Sequence, residues 1–121
     1  MKISEALVVS GLLVASLGLA ACGSEDEGET TGTSCPKEST LGYANFGQVF
    51  FQENCLSCHG AGGPQEPKFT TVEQIRENAS RIDAVAAAGP QGVNTFMPQG
   101  RSVPTSEREK LGEWLACGAP D

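Results

Sequence analysis

Apolar side chains return at helical spacing in three stretches of the chain, and no stretch alternates long enough to read as a strand. Phe46, Val49, Phe50 and Phe51 sketch a short amphipathic helix running into Cys55, with Asn45 and Gln48 as a capping-box-like start. Val72, Ile75, Ala79, Ile82 and Val85 are spaced for one or two helices that begin at Thr71-Val72-Glu73-Gln74 and end near Gly89-Pro90. A last helix is expected from Thr105 or Ser106, after Pro104, through Leu111, Trp114 and Leu115 to a stop at Cys117-Gly118. The fold class that follows is all-α.

A different pattern opens the chain. Residues 6–21, ALVVSGLLVASLGLAA, form an uncharged apolar run of 16, shorter than the ~20 residues a spanning helix needs. Lys2 precedes it, opposed by Glu5, and residues 1–21 read as a signal peptide. Leu19-Ala20-Ala21-Cys22 resembles the lipobox of bacterial lipoproteins, in which the cysteine is lipidated and becomes the new first residue. The competing reading is a small residue beside an ordinary A-x-A-like cleavage site. Cleavage before Cys22 leaves 100 residues. Residues 23–34, GSEDEGETTGTS, hold four acids and no aliphatic or aromatic side chain, too little apolar surface to order themselves. Residues 22–34 are therefore expected to be a lipidated cysteine and a flexible acidic tether, roughly 20 Å from end to end as a coil. The remaining 87 residues, 35–121, make one small domain, of a size whose core commonly needs a covalent staple.

Charge narrows the partners. Without the signal peptide the chain carries 14 acids against 7 bases, and nothing resembles the basic stripe that nucleic acid requires. An acidic exterior suits a partner with a positive docking face, or serves solubility. Composition gives no signal of a fixed oligomer, so a monomer is expected.

Candidate chemistry centres on Cys55-Leu56-Ser57-Cys58-His59, because C-x-x-C-H is the attachment signature of a c-type haem. At an i, i+3 helical offset two thiols share one face, where each can add to one vinyl group of a single porphyrin edge. The adjoining His59 then supplies the proximal imidazole to iron. Structural zinc wants four Cys or His ligands, yet the chain has one histidine and no second C-x-x-C. A thioredoxin-like couple belongs beside a strand-helix-strand pattern, which residues 45–75 do not show. Covalent haem of this kind belongs to an oxidising space outside the cytoplasm, the same compartment that the leader indicates. With Cys22 assigned to lipid and Cys55 and Cys58 to haem, Cys35 and Cys117 remain as an even pair at the two ends of the domain. They are expected to form a disulfide, the alternative being two buried thiols.

Gly47, Phe51 and Cys55, spaced four and four, resemble the class I monohaem cytochrome c family. The ending Trp114-Leu115-Ala116-Cys117-Gly118, together with Cys35, is similar to a bacterial group of lipoprotein cytochromes with a terminal disulfide. The resemblance implies a small cytochrome c-like fold whose N- and C-terminal helices cross at Gly47 and Trp114 around one covalently bound haem. Met97-Pro98, 38 residues after His59 in a Gly- and Pro-rich stretch, resembles the family's distal ligand motif. It makes Met97 the expected sixth ligand, although a lone methionine is otherwise a core gap-filler. The carbonyl of Pro64 or Pro67 is expected to orient His59, and Arg81 and Arg101 are either propionate partners or solvated charges.

The implied function is electron transfer rather than catalysis. A lipid-anchored carrier with one His/Met-ligated haem c would shuttle single electrons between transient redox partners at the periplasmic or outer side of a bacterial membrane. If Met97 does not ligate iron, a haem-based gas or redox sensor or a small peroxidase-like enzyme takes its place.

Overall fold

The computed structural model describes residues 28–121. The expected signal peptide and Cys22 lie outside the described residues. Helices dominate: a π-helical turn over Tyr43–Gly47, then α1 (Gln48–Asn54), α2 (Leu56–His59), α3 (Val72–Glu77), α4 (Ala79–Ala86) and α5 (Thr105–Ala116). Two strands of two residues each, β1 (Ala88–Gly89) and β2 (Gly92–Val93), pair antiparallel as a tiny hairpin. Among the described residues no helix is long and apolar enough to cross a membrane.

Local sequence explains both ends of α3. Thr71 caps α3 by accepting from Gln74 N at 3.3 Å, while Gln74 Oε1 accepts from Thr71 N at 3.2 Å. Each bond satisfies an amide that the first helical turn leaves unpaired. Asn78, whose Nδ2 donates to Gln74 O, separates α3 from α4, so the central apolar pattern folds as two short helices. The first helical start needs correction. Asn45 is not the cap but lies inside the π-helical turn, where its Oδ1 accepts from Gly42 N at 2.7 Å and its amide donates to Thr40 O. Only half of a capping box forms, three residues earlier than expected, because the N-cap Gly42 has no side chain to accept in return.

The core forms where the two ends of the domain meet. Trp114 is fully buried and surrounded by aromatic rings: Tyr43 stacks at 6.4 Å between centroids, Phe46 meets it edge-on at 6.1 Å, and Phe51 lies tilted at 6.2 Å. A Cβ at Gly47 would approach Cζ2 and Cη2 of Trp114 to 2.6 Å. Glycine is required there because no side chain fits between backbone and indole. Trp114 Nε1 and Tyr43 N both donate to Pro120 O, and Cys35 is bonded to Cys117 with their Cα atoms 4.7 Å apart. The chain ends are thereby clamped beside the helix crossing.

The packed body starts earlier than Cys35. Thr31, expected in the tether, is 1% exposed. The Asp83 carboxylate accepts from its backbone N–H at 2.6 Å and from its hydroxyl at 2.8 Å. Thr31 O accepts from Gln91 N, and Glu29 O accepts from the Asn94 amide. Composition reads such a segment as unable to order because it lacks apolar side chains. Here its order comes from polar bonds to Asp83, Gln91 and Asn94, a tertiary arrangement that composition does not carry.

Candidate cofactor site

The C-x-x-C-H segment sits at the junction of α1 and α2. Cys55 N still donates to Phe51 O, and His59 N donates to Cys55 O, both at 2.9 Å, so the pentapeptide is a helical turn with a break at Cys55. Cys55 and Cys58 are unbridged; Cys55 is half-buried and Cys58 exposed. Burial pushes the Cys55 thiol up to about 12 from its ordinary 9.0.

His59 is oriented by the loop that follows it. Its Nδ1 lies 2.7 Å from Pro67 O. A carbonyl only accepts, so Nδ1 carries the hydrogen and the lone pair of the neutral ring is on Nε2. Of the two candidate prolines, Pro67 holds this place. The intervening turn is tied down by Gln65 N to Cys58 O, Phe69 N to His59 O, and Lys68 Nζ to the carbonyls of Gly63 and Gln65. A Cβ at Gly63 would collide with Cys58 O, so this return needs glycine. Phe69 covers the His59 ring at 4.9 Å between centroids and meets Phe51 edge-on at 5.5 Å, which connects the histidine to the core.

Met97 lies in the loop between β2 and α5. It is half-buried and packs against the hydrophobic core, as do Cys55 and Leu56. Its backbone N–H donates to Val85 O of α4, and its carbonyl accepts from Arg108 of α5, at 2.8 and 2.7 Å. Arg81 and Arg101 both have exposed side chains. Arg108, which sequence reasoning passed over, is 3% exposed, and all four of its hydrogen bonds go to backbone carbonyls. Desolvation lowers its pKa from the ordinary value, yet a guanidinium remains charged. A signal existed: Arg108 shares the apolar stripe of Leu111 and Leu115, three and seven residues on, where a solvated charge does not belong.

These residues fit a c-type haem. Two unbridged cysteines share one helical turn, the adjoining histidine keeps the lone pair of Nε2 free of a protein partner's claim through its Nδ1 bond to Pro67, and Cys55, Leu56 and Met97 supply partly buried, largely apolar groups against the core. Among the described residues no three His, Cys, Asp or Glu side chains gather as a separate cation site. Residues 44–115 match the family model described as cytochrome c oxidase, cbb3-type, subunit III. Neither the curated proteins nor the solved structures contain a match. The matched span begins inside the π-helical turn and ends inside α5, taking in the C-x-x-C-H turn and the Met97 loop. The chain therefore belongs to this family of monohaem class I c-type cytochromes: an all-α electron-transfer domain with a covalently bound haem c.

Proposed function

We propose that this chain is a His/Met-ligated electron carrier, tethered by lipid to a bacterial membrane and facing the periplasm or cell exterior. Cys55 and Cys58 form the thioethers, His59 Nε2 is the proximal ligand and Met97 Sδ the distal one. The observation that carries this reading is the His59 Nδ1 to Pro67 O bond of 2.7 Å. Such a bond fixes the tautomer and ring plane and raises the basicity of the ligating nitrogen.

Haem iron supplies a one-electron ferric/ferrous couple. The protein's task would be to keep His59 and Met97 in place through the change of charge. Pro67 keeps the imidazole aimed, Phe69 holds its ring against the core, and the bonds to Val85 and Arg108 keep Met97 in place. Thioether ligation favours the reduced state, and a closed sixth position keeps substrates from the metal. One electron would enter from a donor protein and leave to an acceptor, a carrier's role rather than an enzyme's, and one that a monomer can fill. The acidic surface suits partners with basic faces in small, transient contacts, of less than about 1,200 Å².

The test is the absorption spectrum of the haem-loaded protein. Methionine sulfur on ferric iron gives a weak long-wavelength band, and Met97→Ala should remove it, admit carbon monoxide to the ferrous protein and lower the reduction potential by roughly 0.1–0.3 V, within the ~0.8 V that axial ligands span. An unchanged spectrum and potential would remove Met97 from the iron and bring the sensor or peroxidase-like reading forward. Anchoring rests on Leu19-Ala20-Ala21-Cys22. Cys22→Ser should move the protein from the membrane fraction to the soluble one; retention in the membrane would refute the lipid.

A further inference from the structure

A buried guanidinium surrounded by carbonyls is costly unless its position matters, because removing a cation from water needs its hydrogen-bonding capacity refilled. Arg108 is 3% exposed. Its Nη1, which carries two hydrogens, lies within hydrogen-bond distance of three carbonyls, Ala86 O at 2.7 Å, Asn94 O at 2.9 Å and Met97 O at 2.7 Å, so one hydrogen is shared between two of them, and its Nε donates to Val103 O at 3.3 Å. Three of these acceptors bracket one segment, residues 94–103, and the fourth is at the end of α4. The middle of the segment is open to solvent, with Gln99, Gly100, Arg101 and Ser102 exposed and Gly100 at φ +74°, while its start is also tied by Asn94 to Ala87, Glu29 and Asp83. Both backbone polar groups of Met97 are thus committed, its N–H to Val85 of α4 and its carbonyl to Arg108 of α5.

We infer that Arg108 is a positioning residue for the distal ligand, which holds the Met97 backbone in register so that the sixth position stays closed to competing ligands. The inference rests on ligation by Met97. Arg108 acts through the loop and touches neither iron nor sulfur. Its single planar group bonds carbonyls at four points of the chain, a task that a lysine ammonium with three donors on a flexible stem performs only in part. α5 also carries Trp114 of the helix crossing, so the same helix links the distal loop to the best-packed part of the core.

The experiment is titration of the ferric holoprotein with imidazole, which competes with sulfur for iron. Arg108→Met should raise imidazole affinity at least about tenfold, the effect of losing one or more hydrogen bonds to a charged donor, and Arg108→Lys should fall between it and the parent. Thr71→Ala serves as the control for general destabilisation, since it removes the cap of α3 and leaves Arg108 and its acceptors in place. It should lower the melting temperature while keeping imidazole affinity within about twofold of the parent, as distant sites are nearly independent. If Arg108→Met yields no holoprotein, Arg108→Lys decides. Parent-like imidazole affinity in the Arg108 variants, or an equal rise in Thr71→Ala, would overturn the assignment. Met97→Ala separates the two ideas: if it keeps the parent spectrum, the ligation reading fails first. If it loses the sulfur band while the Arg108 variants behave as parent, only the role of Arg108 falls.

Discussion

The two sides of the cofactor site are built in opposite ways. On the His59 side every polar tie is local: Pro67 O is eight residues away, and Gln65, Lys68 and Phe69 close back onto Cys58, Gly63 and His59. On the Met97 side the ties span the fold, through Val85 of α4, Arg108 of α5, and Asn94, which reaches back to Glu29 across 65 positions. Short loops cost little entropy to close, whereas long-range ties exist only once the helices have docked. The histidine side is therefore a self-contained turn around a fixed imidazole. The methionine side is a tertiary assembly, and its local stability depends on elements far away in sequence.

The comparison is broken most forcefully at Phe69. This ring is 8% exposed and links His59 to Phe51. Phe69→Ala should cost about 3–5 kcal/mol of global stability, the usual loss for truncating a buried aromatic. Chemical denaturation of the holoprotein measures it. The distal loop makes none of these ring contacts, so the sulfur band of the folded variant should persist. Loss of the band in parallel with stability would mean that the two sides are one unit.

The Cys35–Cys117 bond belongs to neither side. It closes an 82-residue separation beside the Gly47–Trp114 crossing. Replacing either cysteine with serine should lower stability by about 2–4 kcal/mol, the range for a native bridge closing a long loop. Haem attachment and imidazole affinity should stay at parent values. A rise in imidazole affinity comparable to that of Arg108→Met would show that general loosening is enough to release the methionine, and the distinction between the sides would fail.

How much of this was legible in sequence follows the same division. The C-x-x-C-H turn, the Thr71–Gln74 cap and the core helix faces express themselves in residues at short spacing, whereas the Gly47–Trp114 crossing follows from the family resemblance and its steric demand is visible only in the structure. Pro67 was one of two candidates, separated only by the turn that brings its carbonyl to His59 Nδ1. Met97 was legible as a residue type in a suitable loop, but not the means of holding it. Arg108 acts through backbone carbonyls, which every residue possesses, so no partner side chain advertises it. Thr31, expected in a tether, is ordered for a different reason, a side-chain partner in Asp83 that lies 52 positions away. The β1–β2 hairpin left no alternating pattern because each strand has only two residues.

The smallest effect gives the sharpest reading of the division. The Asn94 amide donates to Glu29 O at 2.8 Å and to Asp83 O at 2.9 Å, while its own carbonyl accepts from Arg108. Asn94→Ala removes the two donations and leaves the backbone bond, so the expected cost is about 1–2 kcal/mol for carbonyls that lose a donor in a partly buried place. The consequence should be regional. Amide hydrogen exchange should speed up at Gln91 and Asn94, which donate to Thr31 O and Ala87 O, and stay at the parent rate at Gln65 and Phe69 on the histidine side. Equal acceleration of both pairs would mean that exchange proceeds through global unfolding and that the methionine side has no separate stability to lose. Acceleration confined to Gln91 and Asn94 would place the N-terminal strap and the distal loop in one cooperative unit, coupled through Asn94 and Arg108 to Met97, the proposed distal ligand.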